Sequence, residues 1–399
     1  MNNKPNKLIP ELRFPEFVKD GEWKKEKAEN LISTITPPKK LHTANYYDFG
    51  EFPIIDQSKS FYCGYTNDES AVISTDLPLI IFGDHTCILK FATKPFVQGA
   101  DGIKIFKTNN KILKEFLYHY LEYDSIKLED YKRHFSILKE KMIIFSQNPT
   151  EQQKIASCLS SLDEVITAQT NKLALLKNHK KGLMQNLFPQ DGEKVPKFRF
   201  KEFEKDGDWV EKKLGEIGKF SKGKGISKSD IEMNGKYECI RYGQLYTTYG
   251  EVINEIVSKT NLSKTELNFS EANDVILPSS GETQVDIARA SCIIKDGIAI
   301  GGDINIFKSS INGVFLSYYL NSSKKMEIAK LSQGISVVHL YSSQLENLFI
   351  TYPNPTEQQK IADTLSSLDN LIQQQNEKIT QLKLHKKGLM QGLFPEIEK

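Results

Sequence analysis

The sequence predicts an α+β protein in which two mixed α/β domains alternate with two long helices that pair as a coiled coil. Three observations carry this. Residues 148–189 (NPTEQQKIASCLSSLDEVITAQTNKLALLKNHKKGLMQNLFP) recur at 354–395 (NPTEQQKIADTLSSLDNLIQQQNEKITQLKLHKKGLMQGLFP), with about 29 of 42 positions identical and no gap, far above chance. A shorter pair precedes them at a distance, IPELRFPEFVKDGEW at 9–23 and VPKFRFKEFEKDGDW at 195–209. The stretches between diverge but share the pattern of an alternating strand running into an aromatic helix. The expected domains are 1–147, a first long helix over 148–189, 190–353, and a second long helix over 354–399.

The short motif shares Pro10/Pro196, Arg13/Arg199, Phe14/Phe200, Phe17/Phe203, Asp20/Asp206, Gly21/Gly207 and the two tryptophans, Trp23 and Trp209. In the first middle, LPLIIFGDHTCILKF (77–91) reads as a hairpin turning at Gly83-Asp84, and GIKIFKTNNKILKEFLYHYL (102–121) as strand then helix. In the second middle, SCIIKDGIAI (291–300) reads as strand, turn, strand, and DINIFKSSINGVFLSYYL (303–320) repeats the strand-to-helix pattern. The polar linker 190–194 joins the halves.

Each long repeat reads as one helix. Thr150 with Gln153, and Thr356 with Gln359, form a T-x-x-Q capping box, and no proline follows until Pro189 and Pro395. About 38 residues at 1.5 Å rise make a rod of roughly 57 Å. Its apolar positions step by fours and threes: Ile155, Leu159, Leu162, Ile166, Leu173, Leu176, Leu183 and Leu187, then Ile361, Leu365, Leu368, Ile372, Ile379, Leu382, Leu389 and Leu393. That is an a/d seam, which a helix buries against another helix. Gln169 and Lys180, with Gln375 and Lys386, interrupt it at matching places.

Charge is nearly balanced, 53 basic against 51 acidic residues, so the global field does not announce a nucleic-acid binder. Cys63, Cys87, Cys158, Cys239 and Cys292 form no C-x-x-C pair, which fits free thiols in a reducing cytoplasm and gives no metal or disulfide framework. MNNKPNKLIP lacks the apolar core of a signal peptide, and no run is long and apolar enough to span a membrane.

No catalytic set stands out. GKFSKGKG (218–225) has the G-x4-G-K spacing of a phosphate loop but lacks the following Ser or Thr, and reads as a basic surface loop. His85 is expected to be exposed in a turn, while His179 and His385 suit helix C-termini. The informative clusters mix basic, amide and aromatic groups. Arg241, Tyr242, Gln244 and Tyr246 combine a guanidinium and an amide that can each bond two base-edge atoms with rings that can stack. Lys222, Lys224 and Lys228 are candidates for phosphates. In the first middle the candidates are Lys39, Lys40, Lys59, Arg133 and His134; Ser336 and His339 hold the comparable place in the second. The bland alternative for each is a solvated loop.

These residues carry a resemblance. The doubled NPTEQQKIA…LSSLD…HKKGLMQ-LFP, the P-x-x-RF-x-x-F…G-x-W before each middle, IIFGDHT (80–86), GADGIKIFK (99–107), IRYGQL (240–245) and GISVVHL (334–340) resemble the specificity subunit of type I restriction–modification enzymes, over essentially the whole chain. The resemblance implies two target-recognition domains separated by an antiparallel two-helix coiled coil with pseudo-twofold symmetry. It implies a chain without catalysis of its own that guides two methyltransferase subunits, which carry S-adenosylmethionine, and restriction/translocase subunits to a bipartite double-stranded DNA target. The helices' outer faces would then dock the methyltransferase subunits.

The residues agree. A rod of roughly 57 Å would hold two readers one turn of B-DNA apart or somewhat more, a turn being about 34 Å. Two registers are open: one sets Gln169 against Lys386 and Lys180 against Gln375, the other sets Gln169 near Ile379. The competing readings are a coiled-coil scaffold without sequence readout, and a nucleotide-dependent enzyme built on 218–225.

Overall fold

The computed structural model describes residues 8–129, 133–190, 192–334 and 337–396. The chain forms two compact units, Met1–Thr170 with Glu377–Lys399, and Asn171–Asn376. The long helices run over Pro149–Asn186 and Pro355–Leu393. Each unit therefore takes the start of one long helix and the end of the other. Among the described residues no helix is long and apolar enough to cross a membrane.

The first unit holds a four-stranded antiparallel sheet in the order Ile32–Ile35, Ile103–Thr108, Leu79–Gly83, Leu89–Ala92. A mixed sheet joins Lys40–Leu41, Phe96–Gly99, Phe52–Ile55 and Gly64–Thr66. The second unit repeats the first arrangement with Gly218–Lys222, Ile304–Ser309, Val275–Pro278 and Ser291–Ile293, and adds Val252–Ile253 parallel to the last. Its smaller sheet is Ser258–Thr260, Tyr237–Ile240, Ala299–Ile300. The middles thus share a fold, as their common strand-to-helix pattern predicts. Leu79–Gly83 and Val275–Pro278, each paired on both sides, are wholly buried, which explains the unbroken apolar runs. The expected hairpin forms, but Gly83 is still part of the strand and the turn runs over residues 84–87, closed by the Gly83 N–H donating to the Ile88 carbonyl (2.8 Å) and the Cys87 N–H to the Gly83 carbonyl (2.9 Å). Ser291–Ile293 and Ala299–Ile300 are both strands, but they enter different sheets.

The short motif and the helix start form one buried joint, built alike in both units. The Arg13 guanidinium donates to both carboxylate oxygens of Glu151 (2.7 and 2.9 Å) and to the Asp20 carbonyl (2.7 Å). Arg199 donates likewise to Glu357 (2.9 and 2.8 Å) and to the Gly207 carbonyl (2.9 Å). Both carboxylates are buried, and this two-pronged pairing, joined at Glu151 by a bond from the Ser146 hydroxyl (2.5 Å), makes their burial tolerable. Gln152 donates to the Ser146 carbonyl (2.7 Å) and accepts from the Leu113 N–H (2.8 Å), at the head of the domain helix Lys114–Tyr123. Gln358 accepts from the Asn312 N–H (2.9 Å) at the head of Gly313–Asn321.

The capping box expected from Thr150/Gln153 and Thr356/Gln359 is not how these helices begin. Asn148 accepts from the Thr150 N–H (3.0 Å) and Asn354 from the Glu357 N–H (3.0 Å), with Pro149 and Pro355 as first helical residues. Asparagine caps the exposed N–H groups, and proline at the first position loses no hydrogen bond.

The helices pair antiparallel inside each unit. Lys386 donates to Asp163 (2.7 Å) and Glu122 (2.8 Å) in the first. Lys180 donates to Asp369 and Glu251 (both 2.9 Å) in the second. Asp163 lies six positions before Gln169, and Asp369 six before Gln375, so the glutamine–lysine register is displaced toward the one that sets Gln169 near Ile379. The seam also buries more than helix against helix. Ile155 and Leu159 sit in the first unit's core with Trp23, Phe116 and Phe394, and Leu389 packs on it. Ile361 and Leu365 sit in the second unit's core with Trp209, Phe315 and Phe188, and Leu183 packs on it. Leu368 and Ile379 are buried, whereas Leu162, Ile166, Leu173, Leu176, Ile372 and Leu382 are half-buried.

Candidate nucleic-acid interface

In each unit, loops leaving the two sheets are stitched together at one place. In the first, the Asp84 N–H donates to the Gly102 carbonyl (2.7 Å), and the His134 N–H to the Asp84 carbonyl (3.0 Å). In the second, the Ser279 N–H donates to the Asp303 carbonyl (2.7 Å), and the Leu340 N–H to the Ser279 carbonyl (3.0 Å). Gly102 and Asp303 both sit at positive φ (101° and 59°), so the same sharp turn is built twice, once at a residue type that tolerates it less well. These bonds make Arg133 and His339 equivalent positions.

The second unit's face gathers Lys222, Tyr242, Tyr246 and His339, with Arg241 beside them. Strand Val338–His339 pairs with Ser280–Gly281. The His339 ring lies 3.3 Å from the Ser280 hydroxyl and stacks on Tyr341 at 6.2 Å. The Lys222 ammonium stands over Tyr341 at 5.9 Å. Tyr246 donates to the Ser280 carbonyl (2.7 Å) and meets the exposed Tyr242 edge-on at 6.5 Å. Burial pushes the Tyr246 phenol well above its ordinary value, so it stays a donor. Arg241 is half-buried, and its Nε has no acceptor among the described residues. Arg289 donates to the carbonyls of Leu245 (2.9 Å) and Tyr246 (3.1 Å) and fixes the short helix Gln244–Thr247, a role for which no motif in the sequence is a signal.

Other expected residues are elsewhere or otherwise engaged. Gln244 is interior: it accepts from the Arg241 N–H (2.9 Å) and donates to the Ser258 hydroxyl (2.7 Å), which uses the groups a base would need. His134 is also a core residue. Its Nδ1–H donates to the Asp84 carbonyl (2.9 Å) and its Nε2 accepts from the Glu129 N–H (2.9 Å), so neither nitrogen is left for DNA. Arg133 beside it is exposed. Lys39 and Lys40 are exposed and paired with Asp68 (2.6 Å) and Asp101 (2.8 Å); Lys59 is exposed on residues 56–62. Lys224 donates to the Thr265 carbonyl (2.9 Å), and Lys228 is exposed. Ser336 lies outside the described residues. Residues 218–222 are a strand, so 218–225 does not wrap a phosphate as a strand-to-helix loop would.

Among the described residues, one cluster has metal-ligand chemistry. His119, Glu122 and Asp163 place ligand atoms within 4.8 Å of one another. The Lys386 ammonium already bonds both carboxylates and supplies the positive charge a cation would. Burial pushes Glu122 up, but the bonds from His119 and Lys386 outweigh it and hold the carboxyl below its ordinary value.

Residues 206–384 match the family model described as type I restriction modification DNA specificity domain. The chain is 26% identical to the specificity subunit of the type I restriction enzyme MjaVIII of Methanocaldococcus jannaschii, over 96% of this chain and 93% of that protein. It is 26% identical to the specificity subunit of the type I restriction enzymes EcoR124I/EcoR124II of Escherichia coli, over 91% of each. The crystal structure of a type I restriction–modification S subunit from M. genitalium superposes with a TM-score of 0.65 at 16% identity, covering 98% of this chain and 100% of that one. That last likeness is one of fold.

Proposed function

We propose that the chain is the non-catalytic DNA-recognition subunit of a type I restriction–modification complex, a reading supported by the match to the specificity-domain family model and by the likeness to specificity subunits along nearly the whole chain. Residues 1–147 and 190–353 are the two target-recognition domains. Each reads one part of a bipartite double-stranded target in the cytoplasm. The long helices hold two methyltransferase subunits, on which S-adenosylmethionine is carried, and the restriction/translocase subunits. The observation that carries this reading is the loop face built twice on one frame with different side chains. Where the first unit offers Lys40, Lys59 and Arg133, the second offers Lys222, Arg241, Tyr242 and His339. One frame bearing two chemistries suits two different short sequences: lysines meet phosphates, while guanidinium and amide groups discriminate base edges.

The decisive experiment replaces residues 24–147 by the corresponding middle of a relative and sequences the methylated sites in cells that also carry the methyltransferase genes. One half-site is expected to change while the other persists. Unchanged sites would overturn the reading in favour of a scaffold without sequence readout.

A further inference from the structure

We propose that residues 56–62 form a base-reading loop of the first unit, and that Lys90, which need touch no DNA, is the positioning residue that sets the loop's shape. The inference rests on the DNA-recognition reading and names where in the first unit that reading is performed.

Lys90 lies on strand Leu89–Ala92, where its neighbours Leu89 and Phe91 are half-buried and it is itself 4% exposed. The alternation LKFA predicts the reverse, with the ammonium in water. Instead the ammonium donates to the carbonyls of Asp56 (2.7 Å), Ser60 (2.6 Å) and Phe61 (3.3 Å), with the Asp56 carboxylate 4.0 Å away. An ammonium has three hydrogens, and three carbonyls receive them. Backbone points four and five residues apart are thereby tied to one atom. The Ser58 N–H donates to the Asp56 carboxylate (2.8 Å), and the Thr86 hydroxyl to the Gln57 carbonyl (3.0 Å). Burying a lysine is costly, and what this one does is close a loop.

That loop presents what a reader of DNA needs. Lys59 is exposed, and Phe61 and Tyr62 stand 42% and 38% exposed, edge to face at 4.9 Å. Apolar rings held in water by a fixed backbone are suited to thymine methyls and base faces, and the lysine to a phosphate. The loop follows strand Phe52–Ile55. Its counterpart follows Tyr237–Ile240 and carries Arg241, Tyr242 and Tyr246.

The anchoring position recurs as well. Ile81 pairs with Ile105 on one side and Lys90 on the other; Ile276 pairs with Ile306 and Ser291. Ser291 is therefore the counterpart of Lys90. It too is buried, and its hydroxyl donates to the Gly250 carbonyl (2.7 Å) in the counterpart loop. One position in the sheet holds the loop in both units, with a side chain fitted to the loop it holds.

The test is methylated-site sequencing with the full chain and its methyltransferase partners in cells, comparing wild type, Lys90→Met and the double variant Phe61→Ala/Tyr62→Ala. Lys90→Met is expected to relax one half-site by about tenfold in base preference, the value of one good base contact, while the other half-site is unchanged. The ring variant, whose substitutions lie on the surface, is expected to relax the same half-site. A Lys90→Met protein that assembles and methylates the wild-type sites overturns the anchoring role. If Lys90→Met fails to assemble, the ring variant decides, and its retention of wild-type sites overturns the loop's role. A wild type that methylates without sequence preference would instead sink the DNA-recognition reading itself.

Discussion

In the first unit the ammonium of Lys386 meets Asp163 and Glu122 beside His119; in the second the ammonium of Lys180 meets Asp369 and Glu251 beside Tyr318. The members that come from the long helices are identical. Those that come from the domains are not: Glu122 sits on the domain helix Lys114–Tyr123, and Glu251 precedes the strand Val252–Ile253. What each joint requires is a second carboxylate at one point, and two unrelated stretches of chain supply it. The same division runs through the molecule. Arg13/Arg199, Glu151/Glu357 and Gln152/Gln358 repeat because both units need one joint, whereas the loop faces differ because nothing in the frame constrains them.

The comparison breaks most readily at the buried joint. Glu151→Ala or Glu357→Ala leaves a buried guanidinium unpaired and is expected to cost about 3–5 kcal/mol in whichever unit is altered. Denaturant unfolding of the full chain should show one destabilised transition in each case, and unequal losses would mean that the joints are alike in geometry but not in energy. Phe394→Ala empties a site lined by Trp23, Phe116, Tyr120 and Tyr123, and Phe188→Ala one lined by Phe315 and Tyr319. Each should cost about 3–4 kcal/mol by loss of a buried ring. Lys386→Met leaves Asp163 and Glu122 facing each other and is expected to cost about 1–3 kcal/mol.

Acid and alkali separate the two lysine joints. Glu122 is held below its ordinary 4.5, so its contribution is complete above that value and is lost as pH falls through the folded one. Burial lowers Lys180, but Glu251 and Asp369 outweigh it and raise the ammonium above its ordinary 10.5, so its contribution is complete below that value and lost as pH rises through the folded one. Glu122→Gln should flatten the loss of melting temperature below about pH 4.5, and Lys180→Met the loss in strong alkali, and exchanged outcomes would refute the assignment. The smallest effect belongs to Lys222→Ala. The slope of DNA affinity against salt should fall by about 0.9 with little change in base preference, which titrations at several salt concentrations would measure.

The repeated elements were legible because repetition and heptad spacing survive in a single sequence. The joint between Arg13 and Glu151 was half-legible: both residues fall in repeated motifs, but nothing says that motifs 138 residues apart meet. The helix cap is Asn148 with Pro149 after it, while T-x-x-Q satisfies the capping pattern two residues later without forming the cap. His134 and Gln244 show the harder limit. Their chemistry suits a base, yet each is spent on neighbours within the fold, and burial is not written in residue type. Lys90 is the converse, a residue that reads as surface and lies inside because carbonyls some thirty positions away surround it.

The first unit is completed by Glu377–Lys399, where Phe394 lies against Trp23 and the Gly392 carbonyl accepts from the Leu12 N–H (2.8 Å). Synthesis therefore cannot finish the first unit first. Its earlier residues wait, with an apolar socket open, until the residues around Phe394 have emerged, while every residue of the second unit is already made. A stop codon just after residue 376 would spare the second unit and disable the first, whose other residues were translated long before.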